Sequence, residues 1–486
     1  MRNLKKTQML LLFILLPLKA ALFISFFISF QNSNFIRNFS LFFSLIILNL
    51  SVLLIFSFDT SVAFFQMVQE LLWVSFPNNS ILLGIDGLSF SMIILTTFLT
   101  PVCILLCWSL KSQNNVKSYC VTFLILESIL LGVFCSLDIL VFYLLFEAVL
   151  IPMYFIVGVF GSRARKIRAS YLLFIYTLIS SILMFLSILF LFFKTGSTSY
   201  VVLFSHELDS FTENLCWICF FSSFAVKMPL FPFHIWLPEA HCEAPTAGSV
   251  ILAGILLKLG GYGFLRFSIV LFPEASAYFT PMVHTLSIFS ILYASLTTLQ
   301  QVDLKKIIAY TSVGHMGLVT IGLFSFNNAG ILGAIILMLA HGVVSSALFL
   351  AIGFLYDRFH TRIIKYYSGL INSMPLFSVC FIIFTLGNLG LPGTSNFIGE
   401  ILVLASCFII NSWCSLFAGI GMVLSAAYSL WLCNRVIFGN IKQSSIYYLR
   451  DLDRREFFIL APFVILTFLM GLWPNFMVSF LKASFF

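Results

Sequence analysis

The chain has 486 residues, of which 61% are hydrophobic and 9% are charged, and its mean hydropathy is +1.08. A soluble protein carries about 25% charged residues, so this composition excludes a water-soluble enzyme and indicates a polytopic membrane protein. The net charge of +8 does not indicate nucleic-acid binding, because the basic residues stand at the ends of apolar runs, where they set membrane topology.

The N-terminal sequence joins a basic region to an apolar region, as a signal peptide does. No convincing small-residue cleavage site follows, so we interpret it as a retained first transmembrane helix. Because a span needs roughly 20 apolar residues, the chain predicts an all-α fold with about fourteen transmembrane helices. They lie near residues 8–30, 36–57, 88–110, 118–136, 138–160, 170–193, 213–235, 246–271, 280–299, 304–325, 329–355, 375–403, 411–437 and 457–481. Residues 58–87 form the longest connection near the N-terminus.

Because fourteen is an even number, both termini are predicted on the same side of the membrane. The basic residues are distributed unequally between the two sides. The side opposite the termini carries Arg37, Lys111, Lys117, Arg163, Arg165, Lys166, Arg168, Lys305, Lys306, Arg358, Arg362, Lys365, Arg435, Lys442, Arg450, Arg454 and Arg455. The side of the termini carries Arg2, Lys5, Lys6, Lys194, Arg266 and Lys482. Because basic loops stay on the cytoplasmic or equivalent side, the first group is predicted to face the cytoplasm or the matrix.

Glu147 is the first ionisable residue predicted at membrane depth. If its helix begins near Asp138, nine residues of rise place Glu147 about 13 Å along, close to the membrane midplane. An isolated carboxylate there would be neutral, whereas a nearby lysine would keep it charged. The alternative is a structural salt bridge. Glu127 has no assigned role and is interpreted as a lateral contact.

Lys227 stands in an apolar run and is followed by Pro229 and Pro232. A lysine in lipid costs at least about 2.5–3.5 kcal/mol, and the prolines predict a helix break beside it. Broken helices that carry a charge are how transporters build ion sites, and Glu147 is the natural partner. The alternative is a lysine that snorkels to the interface. Just before it, Cys216 and Cys219 form a CxxC without a second pair or a spaced His, so no metal site is predicted.

Lys258 lies in the next predicted span, about 20 Å along a helix that begins near Pro245. Small residues around it favour close helix packing. Snorkelling is again the alternative. His315 and His341 each lie in a separate apolar helix, and histidine relays protons near neutral pH. A buried His is otherwise simply hydrogen-bonded.

A second interrupted segment, TLGNLGLPGTSNFIGE, ends on Glu400, five spans after the Lys227 helix. Paired interruptions indicate an inverted repeat, in which Glu400 would occupy the place that Lys227 holds in the first copy. The predicted division is helices 1–3 (residues 1–115), a first five-helix repeat (116–272), a second, inverted one (273–440) and a last helix (441–486). Water bridging Glu147, Lys227, Lys258, His315, His341 and Glu400 would form a proton path.

Five segments carry a resemblance to a known family. FEAVLIPMYFIVGVFGSR, AVKMPLFPFHIWLPEAHCEAPTAGSVILAGILLKLGGYGFLRF, DLKKIIAYTSVGHMGLV, AHGVVSSALFL and LPGTSNFIGE resemble the chain 4 family of NADH–ubiquinone oxidoreductase, respiratory complex I, in its mitochondrially encoded, plant-like form. The resemblance covers residues 85–475. It implies an antiporter-like, proton-translocating subunit of the membrane arm in the mitochondrial inner membrane, with both termini on the intermembrane-space side.

The resemblance assigns roles to the six residues. It implies a helix-5 glutamate at Glu147, a broken-helix lysine at Lys227, a central lysine at Lys258, a relay at His315 and His341, and an exit residue at Glu400. It implies that FMN, iron–sulfur clusters, NADH and ubiquinone bind to other subunits and that this chain holds no cofactor or metal. The implied partners are other membrane-arm subunits, including sister antiporter-like subunits, and lipids, without nucleic acid.

Three other functions remain open from the sequence. A stand-alone or Mrp-type cation/proton antiporter would use the same helices and lysines. A purely structural membrane subunit would tolerate loss of Lys258. A chloroplast relative acting with ferredoxin is the third.

Overall fold

The computed structural model describes residues 9–29, 32–62, 64–74, 79–109, 113–440 and 450–485. Helices make up most of them, and the predicted all-α membrane fold is confirmed. The helices are α1 (Met9–Phe27), α2 (Ser33–Ser57), α3 (Gly87–Leu105), α4 (Gln113–Cys135), α5 (Ile139–Ala148), α6 (Leu150–Phe160), α7 (Lys166–Thr195), α8 (Tyr200–Ser205), α9 (Ser210–Lys227), α10 (Trp236–Glu243), α11 (Thr246–Ile251), α12 (Leu257–Gly263), α13 (Ile269–Leu271), α14 (Pro273–Tyr278), α15 (Thr280–Gln300), α16 (Leu304–Leu323), α17 (Asn328–Phe359), α18 (Leu370–Ser373), α19 (Pro375–Leu389), α20 (Ser395–Ile410), α21 (Ser412–Val436), α22 (Arg454–Leu472) and α23 (Asn475–Phe485).

Eleven helices in the described part of the chain are long and apolar enough to cross a membrane. Two shorter apolar helices, α19 and α20, are the halves of the interrupted segment predicted near Pro392. The count of fourteen spans and the division into two inverted repeats stay predictions, because several of the long helical segments are interrupted or combine α-helical with other helical turns.

The connection 58–87 contains a β-hairpin that the sequence analysis did not predict. Strand β1 (Gln66–Val74) pairs antiparallel with β2 (Asn79–Ile85). The hairpin is fixed to the bundle because the Leu137 backbone N–H donates to the Leu82 carbonyl at 2.8 Å. We call this end of the bundle the hairpin end. The two strands, of nine and seven residues, are too short to appear as apolar runs of helical length.

The opposite end, which we call the basic end, holds the connections rich in Lys and Arg. Backbone hydrogen bonds join these connections, for example from Leu304 N–H to the Arg362 carbonyl at 2.9 Å and from Gly369 N–H to the Phe438 carbonyl at 3.2 Å. Arg358 also forms an ion pair with Glu456 at 2.5 Å. The predicted basic residues Arg2, Lys5, Lys6, Lys111 and Lys442 lie outside the described residues.

Both ends of the described chain lie at the hairpin end. The Leu11 backbone N–H donates to the Gln69 side chain on β1, and the Phe480 ring packs against Phe58 and Phe90. This is the arrangement that an even number of crossings produces. Which compartment faces each end stays a prediction.

Two central rods form the buried core of the bundle. The first rod is the continuous helical segment Thr246–Leu271, and the second is helix α17. Both are entirely buried inside the protein along their most apolar stretches. The first rod contains two π-helical turns, Leu252–Leu256 and Phe264–Ser268. Because such turns leave carbonyl groups outside the regular α-helical ladder, they commonly mark functional positions.

Arg362 ties several connections together at the basic end. Its guanidinium donates to the Cys242 carbonyl and, at 2.9 Å, to the Ser162 hydroxyl. The neighbouring Ile363 forms a β-bridge with Asp303 at the start of α16. Arg362 is only 2% exposed. One buried cation therefore connects the loop after α6, the end of α10 and the loop after α17.

Candidate functional site

Glu147 lies near the end of α5, as predicted. Asp138 caps this helix, because its carboxylate accepts hydrogen bonds from the backbone N–H groups of Leu140 and Val141. Glu147 is half-buried and faces the edge of the bundle beside the Ser181 hydroxyl of α7. Its Oε1 atom is buried without a hydrogen-bond partner among the described residues.

Lys227 is the last residue of α9, and the helix break predicted from Pro229 and Pro232 is confirmed. Its ammonium donates to the Phe146 carbonyl at 3.0 Å and lies 3.7 Å from the centre of the Phe146 ring. Lys227 is 4% exposed, so it does not snorkel in this chain. A carbonyl and a ring face both stabilise the buried cation.

Glu147 and Lys227 lie within electrostatic range of each other, as expected of partners, but they do not form a direct ion pair. The lysine ammonium contacts Phe146 instead. Successive residues on a helix point about 100° apart, so the carboxylate and the Phe146 ring face different directions. The two residues are therefore neighbours in the structure, but their charged groups do not touch.

Lys258 is fully buried in the central rod, which excludes snorkelling. Its Nζ atom donates to the Ala253 carbonyl at 2.5 Å and lies 2.8 Å from His341 Nδ1, in hydrogen-bond contact. Ala253 belongs to the first π-helical turn. The turn therefore supplies a carbonyl that holds the lysine head toward α17.

The helices that carry Lys227 and Lys258 touch through their backbones. A Cβ atom at Gly260 would lie 2.8 Å from Met228 Cβ and 2.9 Å from both the Met228 nitrogen and the Phe224 oxygen. Only a glycine allows α12 to approach the end of α9 this closely. No direct contact joins the two ammonium groups, so a proton moving between them would need intervening water.

The two histidines and Glu400 form a cluster between α16, α17 and α20. The His315 and His341 rings are 5.5 Å apart, and His315 Nδ1 lies 3.4 Å from Glu400 Oε1. His315 Nε2 lies 3.2 Å from the Asn388 side-chain oxygen. The His315–Glu400 approach is close but poorly aligned, since His315 Nδ1 has no hydrogen bond of good geometry among the described residues.

Glu400 lies after its helix break, in the second turn of α20, whereas Lys227 lies before its own. That the two residues correspond within inverted repeats stays a prediction. Beside Glu400 and His315 is a cavity of about 20 Å³ that Ser295 and Ser425 also line. A water molecule needs roughly 10–15 Å³, so the cavity has room for one.

Sequence reasoning missed two buried residues next to this series. His241, on α10, is fully buried and stacks on Phe349 with ring centres 4.6 Å apart, and neither of its ring nitrogens has a hydrogen-bond partner among the described residues. Lys305, assigned only a topological role, is 1% exposed and donates to the Ala244 carbonyl at 2.8 Å. His241 lies within electrostatic range of both Lys305 and Lys258. The local sequences carry no signal for the burial of His241 and Lys305, because both residues stand in polar connections of the kind found at the membrane surface.

The arrangement can hold and transfer protons in a buried interior. Lys258, His341, His315 and Glu400 follow one another through contacts of 2.8, 5.5 (between ring centres) and 3.4 Å. Each member has a side chain that changes its charge by one proton. The described residues contain no group of His, Cys, Asp and Glu with the arrangement of a metal site.

Comparison with known proteins adds independent findings. A family model described as NADH:quinone oxidoreductase/Mrp antiporter, TM, matches residues 136–425. The chain is similar to NADH-ubiquinone oxidoreductase chain 4 of Chondrus crispus, with 56% identity across 97% of this chain and 96% of that relative. The protein of the same name from Marchantia polymorpha is 54% identical across 97% of this chain and 95% of its own length.

Solved structures give the same result for the fold. A chain of respiratory complex I from Thermus thermophilus, with bound NADH, superposes with a TM-score of 0.88 at 28% identity and covers 98% of both chains. A chain of the Mrp complex from Dietzia sp. superposes with a TM-score of 0.85 at 18% identity, covering 99% of this chain and 97% of that chain. At that identity the second likeness shows the fold alone.

Proposed function

Since this chain belongs to the NADH:quinone oxidoreductase/Mrp antiporter membrane family, among the chain 4 subunits of NADH–ubiquinone oxidoreductase, we propose that its buried polar series is the path by which it pumps protons. Members of this group are subunits of the complex I membrane arm. The observation that carries the proposal is the Lys258–His341 contact of 2.8 Å in a fully buried core.

The proposed path runs from Lys227 to Lys258, then through His341 and His315 to Glu400. The first transfer uses water between α9 and α12, whose backbones touch at Gly260. The later transfers follow contacts between neighbouring side chains. A buried charge without a counterion is costly, so a proton that reaches Lys258 has a strong tendency to move on.

Glu147 is the proposed input of the coupling. In the present conformation its carboxylate is separated from Lys227, and its half-buried position at the bundle edge suits contact with a neighbouring subunit. Moving the carboxylate toward the lysine stabilises the protonated ammonium, and withdrawing it favours proton release. We propose that a neighbouring membrane-arm subunit, such as a sister antiporter-like subunit, drives this movement.

The remaining parts of the proposal concern cofactors, location and architecture. FMN, iron–sulfur clusters, NADH and ubiquinone bind elsewhere in the complex. The chain lies in the mitochondrial inner membrane, with the basic end toward the matrix and both termini toward the intermembrane space. Residues 116–272 and 273–440 are the two inverted repeats.

The test is a comparison of two lysine variants in the assembled complex. Lys258→Met removes the titratable group from the core, whereas Lys306→Met removes a lysine that forms a partly exposed ion pair with Glu239 at 2.9 Å. Loss of a positioned proton-transfer group typically costs about 10²–10⁴-fold in rate. Proton uptake by sealed vesicles during NADH oxidation should collapse for Lys258→Met and persist for Lys306→Met. Unchanged pumping by Lys258→Met would refute the path.

A Mrp-type antiporter is the second candidate, and only the shared fold supports it. Purification in mild detergent separates the two functions. A chain in complex I should copurify with flavin and iron–sulfur subunits, whereas a stand-alone antiporter should not.

A further inference from the structure

A short route leads from Lys258 to the hairpin end along the rod Thr246–Leu271. Lys258, Tyr262 and Arg266 are spaced four residues apart on this rod, and Arg266 belongs to the second π-helical turn. Eight residues of helical rise cover only about 12 Å. A proton that left Lys258 along this side of the rod would bypass both histidines and Glu400. Pumping through the proposed path therefore requires this route to be closed.

Arg266 is fixed at the outer end of the route by a buried ion pair. Its Nη2 atom lies 2.5 Å from Asp86 Oδ1, and both side chains are buried. The Asp86 carboxylate also caps α3, because it accepts from the Ser89 backbone N–H at 3.0 Å. The pair therefore joins the rod to the start of α3, directly after strand β2.

Three aromatic rings surround the Arg266 guanidinium group. Its central carbon lies 5.0 Å from the centre of the Phe65 ring, 5.9 Å from that of Tyr200 and 5.4 Å from that of Tyr262. The rings come from the segment before β1, from α8 and from the rod itself. Ring faces stabilise a cation, and they cover this one against water, since Arg266 is only 7% exposed.

The hydrogen bonds around Arg266 do not form a chain that can carry a proton outward. The Tyr262 hydroxyl donates to the Phe134 carbonyl at 3.2 Å, so its one proton is directed at α4. Arg266 Nε donates to the same hydroxyl oxygen at 3.4 Å. A proton wire needs groups that both accept and donate, whereas arginine has five N–H donors, no acceptor and a charge that it keeps in proteins. The chain of hydrogen bonds therefore ends at Arg266.

We propose that Arg266 is an electrostatic seal that closes this route to protons at the hairpin end. The inference rests on the proposed proton path, because a seal matters only if Lys258 carries protons. A fixed arginine repels an approaching positive charge, as in pores that exclude protons. The guanidinium lies between Tyr262 and Asp86, so an outward-moving proton meets the cation before the carboxylate. With the route closed, a proton on Lys258 leaves toward His341.

A structural tie is the alternative role for the same ion pair. A tie would require a bond between the rod and α3. It would not require the pair to stand in line with Lys258, behind a hydroxyl whose proton is directed elsewhere. The two roles also predict different effects of substitution, because a seal depends on the cation and a tie depends on the pair.

The test is proton leakage through the assembled complex at rest. Sealed vesicles receive a pH step without NADH, and an internal dye reports the rate of proton entry. Arg266→Met removes the cation and keeps a long side chain. A unit charge about 6 Å away, at an effective dielectric constant of about 20, changes a crossing rate by roughly a hundredfold. Asp86 offsets part of this effect, so leakage through the complex should rise by about tenfold. Lys194→Gln, which removes a partly exposed cation paired with Asp209 at the same end, is the matched control.

Three further variants separate the charge from the tie and locate the leak. Arg266→Lys and Asp86→Asn both disturb the ion pair but leave a cation in place, so both should stay as tight as the unmodified complex. This comparison remains decisive if the methionine variant does not assemble. In the Arg266→Met/Lys258→Met double variant the extra leakage should disappear, because the route begins at Lys258.

Several outcomes would overturn the proposal. Unchanged leakage in fully assembled Arg266→Met complex would show that the cation closes nothing. Leakage in both Arg266→Lys and Asp86→Asn would assign the closure to the tie. Extra leakage that persists in the double variant would place the leak outside the rod. Leakage at rest reports on the seal, whereas NADH-driven pumping by Lys258→Met reports on the path, so failure of one is distinguishable from failure of the other.

Discussion

Replacing Gly260 with alanine tests whether the geometry around Lys258 governs proton transfer, because it removes no titratable group. The new Cβ would lie 2.9 Å from the Met228 nitrogen and the Phe224 oxygen, whereas ordinary contacts begin at 3.4 Å. Backbone atoms cannot rotate away, so α12 must withdraw from α9 by about the difference, 0.5 Å.

This displacement is large relative to the contact that Lys258 makes. Lys258 lies two residues from Gly260 on the same helix, so its ammonium moves with it. A displacement of about 0.5 Å changes the 2.8 Å separation of Lys258 Nζ from His341 Nδ1 by up to that amount, which is enough to spoil the geometry of a hydrogen bond. Since a 1 Å misplacement costs about 10²-fold, we expect roughly a tenfold lower pumping rate.

The assay is NADH-driven proton uptake by sealed vesicles, normalised to the amount of assembled complex. Overpacking also costs about 1–3 kcal/mol of stability. Assembly is therefore measured on its own, through the rate at which the complex oxidises NADH with a soluble electron acceptor. Gly419→Ala is the control, because a Cβ there meets no atom within 4 Å in this chain. Wild-type pumping by Gly260→Ala in fully assembled complex would show that the α9–α12 contact does not position the path.

Three further predictions concern other parts of the path and its frame. Glu400→Gln keeps the side-chain shape but cannot ionise, so vesicle proton uptake should fall by about 10²-fold or more, and full uptake would remove Glu400 from the path. His241→Phe should preserve the stacking on Phe349 and allow normal assembly. Proton uptake should fall, because His241 lies within electrostatic range of Lys258 and can pass protons to it, whereas uptake equal to that of the unmodified complex would make His241 structural. Arg362→Met leaves the buried Cys242 carbonyl unpaired, at about 1–3 kcal/mol, so the complex should inactivate at a lower temperature, and unchanged inactivation would contradict that role.

The sequence was sufficient for features set by composition and local chemistry. The all-α membrane fold follows from apolar length, and the break after Lys227 follows from Pro229 and Pro232. The interruption before Glu400 follows from the glycines and proline around residue 392. Each of these depends on neighbours along the chain.

Features that depend on packing between distant segments could not be predicted from the sequence. The separation of Glu147 from Lys227 depends on how α5 is rotated against α9, which no local pattern encodes. The burial of Lys305 and His241 depends on α10 folding over the start of α16. The six residues that the sequence selected are brought into one region, but their contacts come from the tertiary structure.

The connections of Arg362 at the basic end limit how the molecule can move. One buried guanidinium holds Cys242 and Ser162 of the first half, and the adjoining backbone is bonded to Asp303 and Leu304 of the second half. Alternating-access carriers expose their sites by rocking one half against the other. Such rocking would break this buried network in every cycle, at several kcal/mol for the cation alone. This network therefore predicts that the barrier against proton leakage is local, made by side-chain rotation and the arrival or loss of single waters.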